Sequence, residues 1–127
     1  MAKTVLVVDD DADFRDMLAA VLTPDGYKVV PCAHPPEAYD WARQLSPDVI
    51  VVDLLMPDQS GWQIIEQVKA DPLIAGTPII VCTAAVAEAM DHVAALRQWG
   101  CEVLLKPFDL NDLLSLLAKA TARSKSS

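Results

Sequence analysis

Val5-Leu6-Val7-Val8 runs directly into Asp9-Asp10-Asp11, and Asp13 follows one residue later. Like charges held close raise one another's pKa, so carboxylates crowded at the end of an apolar run are either solvated or share a cation. Other apolar runs end on groups of matching chemistry: Val49–Val52 on Asp53, Ile79–Cys82 on Thr83, and Val103–Leu105 on Lys106-Pro107. The run Tyr27–Val30 offers only Cys32-Ala33-His34. Three carboxylates, a hydroxyl and an ammonium make a site composition that a core would not tolerate. With no His/Cys ligand set beside it, this oxygen-rich cluster suits a hard divalent cation, and Mg²⁺ better than zinc. Such an ion would relieve the repulsion among the acids. Lys106 suits one phosphoryl oxygen as a point charge and Thr83 another as a hydroxyl. An Asp in this company can act as a nucleophile and carry an aspartyl phosphate, with the metal and Lys106 stabilising the transferred charge.

These groups meet only if the runs are strands of one sheet. Thr4–Val8, Tyr27–Val30, Val49–Val52, Ile79–Cys82 and Val103–Leu105 are short, β-branched and nearly continuous in apolar character, as parallel strands covered on both faces are. Helical patterns separate them. Phe14, Met17, Leu18, Val21 and Leu22 form a buried stripe, closed by Thr23-Pro24-Asp25-Gly26. Further helices are predicted over Pro36–Leu45, Gly61–Lys69, Val86–Trp99 and Leu110–Thr121, the last with Asp109 as N-cap. A β-α alternation repeated five times implies a single doubly wound α/β domain, (βα)5, with a central five-stranded parallel sheet and right-handed crossovers. Sites in such sheets lie beyond the carboxyl ends of the strands, where all five candidate groups fall.

The totals agree with one domain: 127 residues, 53% hydrophobic and 22% charged. A net charge of −8, with no Lys/Arg run to offset it, argues against a nucleic-acid-binding surface. No secretory signal is recognisable and no apolar run approaches the roughly 18 residues of a membrane span. Cys32, Cys82 and Cys101 are odd in number and form no CxxC, which points to a reduced, cytosolic protein. Residues 1–121 are expected to form the domain, and the polar residues 122–127 a tail or the start of a linker.

Four stretches, VLVVDDDADFRDML, VIVVDLLMPDQSGW, PIIVCTA and LLKPFDLNDLL, occur in this order on the five βα units. Over about Lys3 to Ala120 the chain thereby resembles a CheY-like response-regulator receiver domain of two-component signalling. The resemblance implies a flavodoxin-like strand order 2-1-3-4-5 and Asp53 as phosphoacceptor. It implies Mg²⁺ held by Asp10 directly, by Asp9 mainly through water, by Asp53 and by the backbone carbonyl of Leu55. Thr83 would hydrogen-bond the phosphoryl group and Lys106 would pair with it. The Lys106–Pro107 bond becomes a candidate cis peptide, Pro57 and Gly61 fit the loop after the acceptor, and Ala84 leaves the phosphoryl path open. The implied partners are a histidine kinase or a histidine phosphotransfer protein. The implied output is through the fourth helix, fifth strand and fifth helix, to a partner or a second copy.

Two positions depart from the pattern. Receivers often carry an aromatic residue three positions before the lysine, where this chain has Val103, so coupling must run through the Thr83 loop, the fourth helix or Trp99. Leu55 and Ala85, each two residues after a site residue, cannot position an attacking water, and slow autodephosphorylation is expected.

Blander roles fit other residues. Asp11 and Asp13 belong to the start of the first helix, where negative charge complements the dipole. His34 and His92 have no partner spaced to activate them, and Trp41, Trp62 and Trp99 read as packing. A haloacid-dehalogenase-type phosphatase with Asp9 as nucleophile lacks its late acidic pair. A phosphate-independent interaction module would not need the acid, Thr and Lys set. NTP hydrolysis and flavodoxin-like cofactor binding fail for want of a phosphate loop, with Gly at only 4 residues.

Overall fold

The computed structural model describes residues 3–56 and 60–124. Five strands, β1 (Lys3–Val8), β2 (Tyr27–Cys32), β3 (Val49–Val52), β4 (Ile79–Thr83) and β5 (Cys101–Leu105), alternate with helices. The helices are α1 (Ala12–Leu22), α2 (Ala38–Leu45), α3 (Gly61–Ala70), α4 (Val86–Gln98) and α5 (Leu110–Ser124). The sheet is parallel throughout in the order β2-β1-β3-β4-β5, the expected arrangement.

Strand periodicity of two sorts the side chains between two cores. Leu6, Val8, Ile50 and Val52 face one way and pack with Ala38 and Ala42 of α2, Ile64, Ile65 and Val68 of α3, and Leu96 of α4. Val5, Val7, Val49 and Val51 face the other way, onto Leu18 and Leu22 of α1 and Leu113 and Leu117 of α5. The three inner strands β1, β3 and β4 are therefore apolar at almost every position.

Helix boundaries follow capping chemistry. Asp11 is the N-cap of α1, its carboxylate accepting from the Asp13 and Phe14 N–H groups, and Asp13 lies in the first turn. The Asp109 carboxylate accepts from the Asn111 N–H at 2.9 Å at the start of α5. Ser46 ends α2 in the left-handed region at φ 45°, and Gly26 (φ 93°) and Gly100 (φ 80°) follow α1 and α4.

Four boundaries differ from the sequence expectation by two residues or more, the others by one at most. β2 continues through Pro31 to Cys32, because an edge strand has one side that needs no N–H donors. The predicted start of α2 at Pro36 is instead a 3₁₀ turn over Pro35–Glu37, with α2 proper from Ala38. β5 begins two residues earlier, at Cys101. The helix α5 runs past Thr121 to Ser124, since the Thr121 hydroxyl donates back to the Leu117 carbonyl at 2.8 Å rather than breaking the helix.

Candidate functional site

Strand register brings the candidate groups together. β1 pairs with β3 so that Val8 lies opposite Val52, and the next residues, Asp9 and Asp53, leave the sheet side by side. The Asp53 N–H donates to the Val8 carbonyl at 3.2 Å. On the far side, Thr83 pairs with Leu105, and the Lys106 N–H donates to the Thr83 carbonyl at 2.8 Å. Lys106 thus starts two strands away from Asp53, a distance its long stem spans.

Its ammonium reaches Asp9 Oδ2 at 2.8 Å and Asp53 Oδ2 at 3.2 Å. The other oxygens are held by the backbone: Asp9 Oδ1 accepts from the Asp11 N–H at 2.9 Å, and Asp53 Oδ1 from the Leu55 N–H at 3.1 Å. Arg15 donates to the Asp9 carbonyl at 2.7 Å. Asp9 is 1% exposed and Asp53 8%, whereas Asp10 stands open to solvent. Thr83 is fully buried, and its hydroxyl oxygen accepts from the Ala85 N–H at 3.1 Å.

Burial pushes the Asp9 carboxyl above its ordinary value, and the Lys106 and Asp11 hydrogen bonds only partly oppose it. For Lys106, burial acts downward, but hydrogen bonds and charge from Asp9 and Asp53 outweigh it and the ammonium ends above the ordinary lysine value. Lys106 therefore does not fully offset the burial of Asp9. The fit to a divalent ion follows from the donor set. Asp9, Asp10 and Asp53 each offer a carboxylate oxygen, all within 4.8 Å of one another. Opposite ligands of an octahedral Mg²⁺ at about 2.1 Å would be about 4.2 Å apart, a span that a cluster of this size can accommodate around one ion.

Gly61 has a job that spacing alone could not assign. It opens α3, its N–H donating to the Leu54 carbonyl at 3.1 Å, and a Cβ there would fall on the Asp53 carbonyl oxygen. Only glycine lets α3 start against the backbone of Asp53. Pro57, its companion in the predicted loop, lies outside the described residues. Ala84 and Leu55 are exposed beside the site, Leu55 by 53%. Val103 is half-buried against the core, and the Lys106–Pro107 bond is cis, as the resemblance implied.

Two rings were missed as parts of the site. The Lys106 ammonium lies 4.0 Å from the centroid of the Phe14 ring, and Phe14 meets Phe108 edge-on at 6.1 Å. Phe14 was legible only as a stripe residue of α1, because a tertiary cation–π contact leaves no periodic signal. His34 is exposed, and His92 packs its ring on Trp62 at 5.0 Å. Trp62 packs on the core, whereas Trp41 and Trp99 are partly exposed. Cys32, Cys82 and Cys101 are all buried free thiols. No helix among the described residues is long and apolar enough to cross a membrane.

Comparisons with known proteins converge. Residues 5–118 match the family model described as the response regulator receiver domain. The chemotaxis protein CheY of Thermotoga maritima is 33% identical, over 95% of this chain and 99% of its own length. The DNA-binding response regulator MtrA of Mycobacterium leprae is 31% identical over 91% of this chain but 49% of its own, so the chain spans about half the length of that relative. Among solved structures, a putative response regulator from Chloroflexus aurantiacus superposes with a TM-score of 0.85 at 31% identity, covering 97% of this chain and 100% of the other.

Proposed function

The chain belongs to the response-regulator receiver family, and on that premise we propose that Asp53 is its phosphoacceptor, served by Mg²⁺, Lys106 and Thr83. The observation that carries this reading is one cluster in which Asp53 lies between the acids of β1 and the ammonium of Lys106. Asp9 and Asp10, with Asp53 and the Leu55 carbonyl, would hold the metal. Bound there, Mg²⁺ supplies charge that neutralises phosphoryl oxygens during transfer.

The residues divide the work as follows. An Asp53 oxygen attacks phosphorus as the P–N bond of a donor phosphohistidine breaks, leaving the donor imidazole and an aspartyl phosphate. Lys106, already 3.2 Å from Asp53, turns from the carboxylate to a phosphoryl oxygen. The Thr83 oxygen accepts from Ala85, which leaves its O–H free to donate to another. Because Ala85 is the N-cap position of α4, a move of Thr83 pulls on the start of that helix. With Val103 in place of an aromatic residue, this is the route by which α4, β5 and α5 would sense a phosphoryl group carrying about −2 where a carboxylate of one negative charge stood.

The donor would be a histidine kinase or histidine phosphotransfer protein, and the output a partner or second copy docking on α4, β5 and α5. The chain is accordingly a signalling receiver with self-phosphorylation chemistry rather than a turnover enzyme. Incubation with acetyl phosphate tests the reading, with intact mass and oligomeric state read together. The wild type should gain one phosphoryl group only when Mg²⁺ is present, and Asp53→Ala none. A gain in Asp53→Ala, or an unmodified wild type in Mg²⁺, would contradict it.

A further inference from the structure

Lys106 makes three contacts at its ammonium and has three N–H bonds to make them with. Two go to carboxylates, Asp9 at 2.8 Å and Asp53 at 3.2 Å, and the third direction is closed by the face of Phe14 at 4.0 Å. The ring is itself fixed. Phe108 meets it edge-on at 89°, and both rings pack on the core between the sheet, α1 and α5. The Phe14 N–H donates to the Asp11 cap at 3.3 Å, and the Asp11 N–H donates to Asp9. One short network therefore supports both the carboxylate and the ring that flank the lysine.

We propose that Phe14, braced by Phe108, is a positioning residue whose ring face holds the Lys106 ammonium in place for the phosphoryl group on Asp53. The proposal rests on the reading of Asp53 as acceptor. On transfer, the Asp53 contact of Lys106 is exchanged for a phosphoryl oxygen, while the ring and Asp9 remain where they are. A long lysine stem loses much rotamer freedom when it is fixed, and a ring that fixes it beforehand removes that cost from the binding step. An aromatic quadrupole attracts a cation, and a leucine of similar bulk does not.

The probe is beryllofluoride, a phosphoryl mimic, titrated with Mg²⁺ into the full chain, with Mg²⁺ alone titrated separately. Phe14→Leu should bind beryllofluoride about three- to tenfold more weakly, the range expected from one partly buried cation–π contact. Its Mg²⁺ affinity should stay within about twofold of wild type, since the ring acts on the lysine and carries no ligand atom for the metal. Phe14→Tyr, which keeps the ring face, should recover most of the loss. Equal affinity in Phe14→Leu and wild type would overturn the proposal, as would an equal loss in the Leu and Tyr variants. A parallel loss of Mg²⁺ affinity would overturn it too, by placing the effect on the acids. A wild type that binds Mg²⁺ but no beryllofluoride would overturn the acceptor reading itself, and the clamp with it.

Discussion

Substituting Gly61 by alanine sets helix propensity against site geometry. Gly61 is the first residue of α3, behind the Ser60 cap, and in a helix alanine is favoured over glycine by up to about 1 kcal/mol. Propensity alone therefore predicts a more stable protein. The geometry predicts the reverse. A Cβ at position 61 would overlap the Asp53 carbonyl oxygen and lie 2.9 Å from both the Asp53 carbonyl carbon and the Leu54 Cα. Carbon atoms in comfortable contact are about 3.5–4.0 Å apart, so the start of α3 must retreat by roughly an ångström. Overpacking of this kind costs about 1–3 kcal/mol, and weakening the Gly61–Leu54 hydrogen bond adds about 0.5–1.5 kcal/mol. After a propensity gain of about 1 kcal/mol, a net loss of about 0.5–3.5 kcal/mol remains, or roughly 2–14 °C in Tm for a domain of this size. Thermal and urea unfolding of wild type and Gly61→Ala measure it. Because the retreating helix carries the Asp53–Leu55 backbone with it, beryllofluoride affinity should fall as well. A variant as stable as wild type, with unchanged affinity, would refute the reasoning.

Three further outcomes are expected. Leu55→Asn places an amide beside the proposed acceptor and should shorten the lifetime of a phosphoryl group on Asp53, followed by loss of label after donor removal; an unchanged lifetime would contradict the expectation that Leu55 slows hydrolysis. Tyr39 at 2.6 Å, the Leu73 N–H at 3.0 Å and Arg43 at 3.1 Å hold the Asp71 carboxyl below the ordinary carboxylate range. Its folded pKa is thus below its unfolded one, so its contribution is complete above the ordinary value and lost as pH falls through the folded value. Asp71→Asn should flatten the acid limb of a stability–pH curve below about pH 4 and, with the hydrogen bond that raises the Tyr39 phenol changed, bring that phenol back toward its ordinary pKa. Burial pushes the Cys82 thiol up to about 12 and the Cys101 thiol up to about 11, so Ellman's reagent at pH 8 should label none of the three cysteines until the chain unfolds.

The strands were legible because Val5–Val8, Val49–Val52 and Ile79–Cys82 are β-branched and buried on both faces, which leaves a continuous apolar signature. Their carboxyl-terminal residues located the candidate site for the same reason: in a parallel sheet all such ends share one edge. Tolerance at an edge is harder to see, and Pro31 inside β2 reads as a stop until β2 is known to be the outermost strand. The Pro35-Pro36 pair signals a helix start but not the tighter 3₁₀ turn that occupies it. Contacts between distant elements left least trace. Nothing local to Asp9 announces that it is more buried than Asp10 or that Lys106 pairs with it. Nothing local to Gly61 or Phe14 reports the carbonyl under one or the ammonium over the other.

Two buried carboxylates, Asp9 and Asp53, compete for the role of nucleophile. Asp53 lies beside Lys106 at the end of β3, whereas Asp9 is 1% exposed and already bonded to Lys106 and Asp11. Peptide mapping of the chain after reaction with acetyl phosphate in Mg²⁺ decides between them. The account predicts a single acyl phosphate, on the peptide containing Asp53, that disappears when Mg²⁺ is chelated during the reaction. A phosphoryl group on Asp9, or one that forms equally well without the metal, would contradict it.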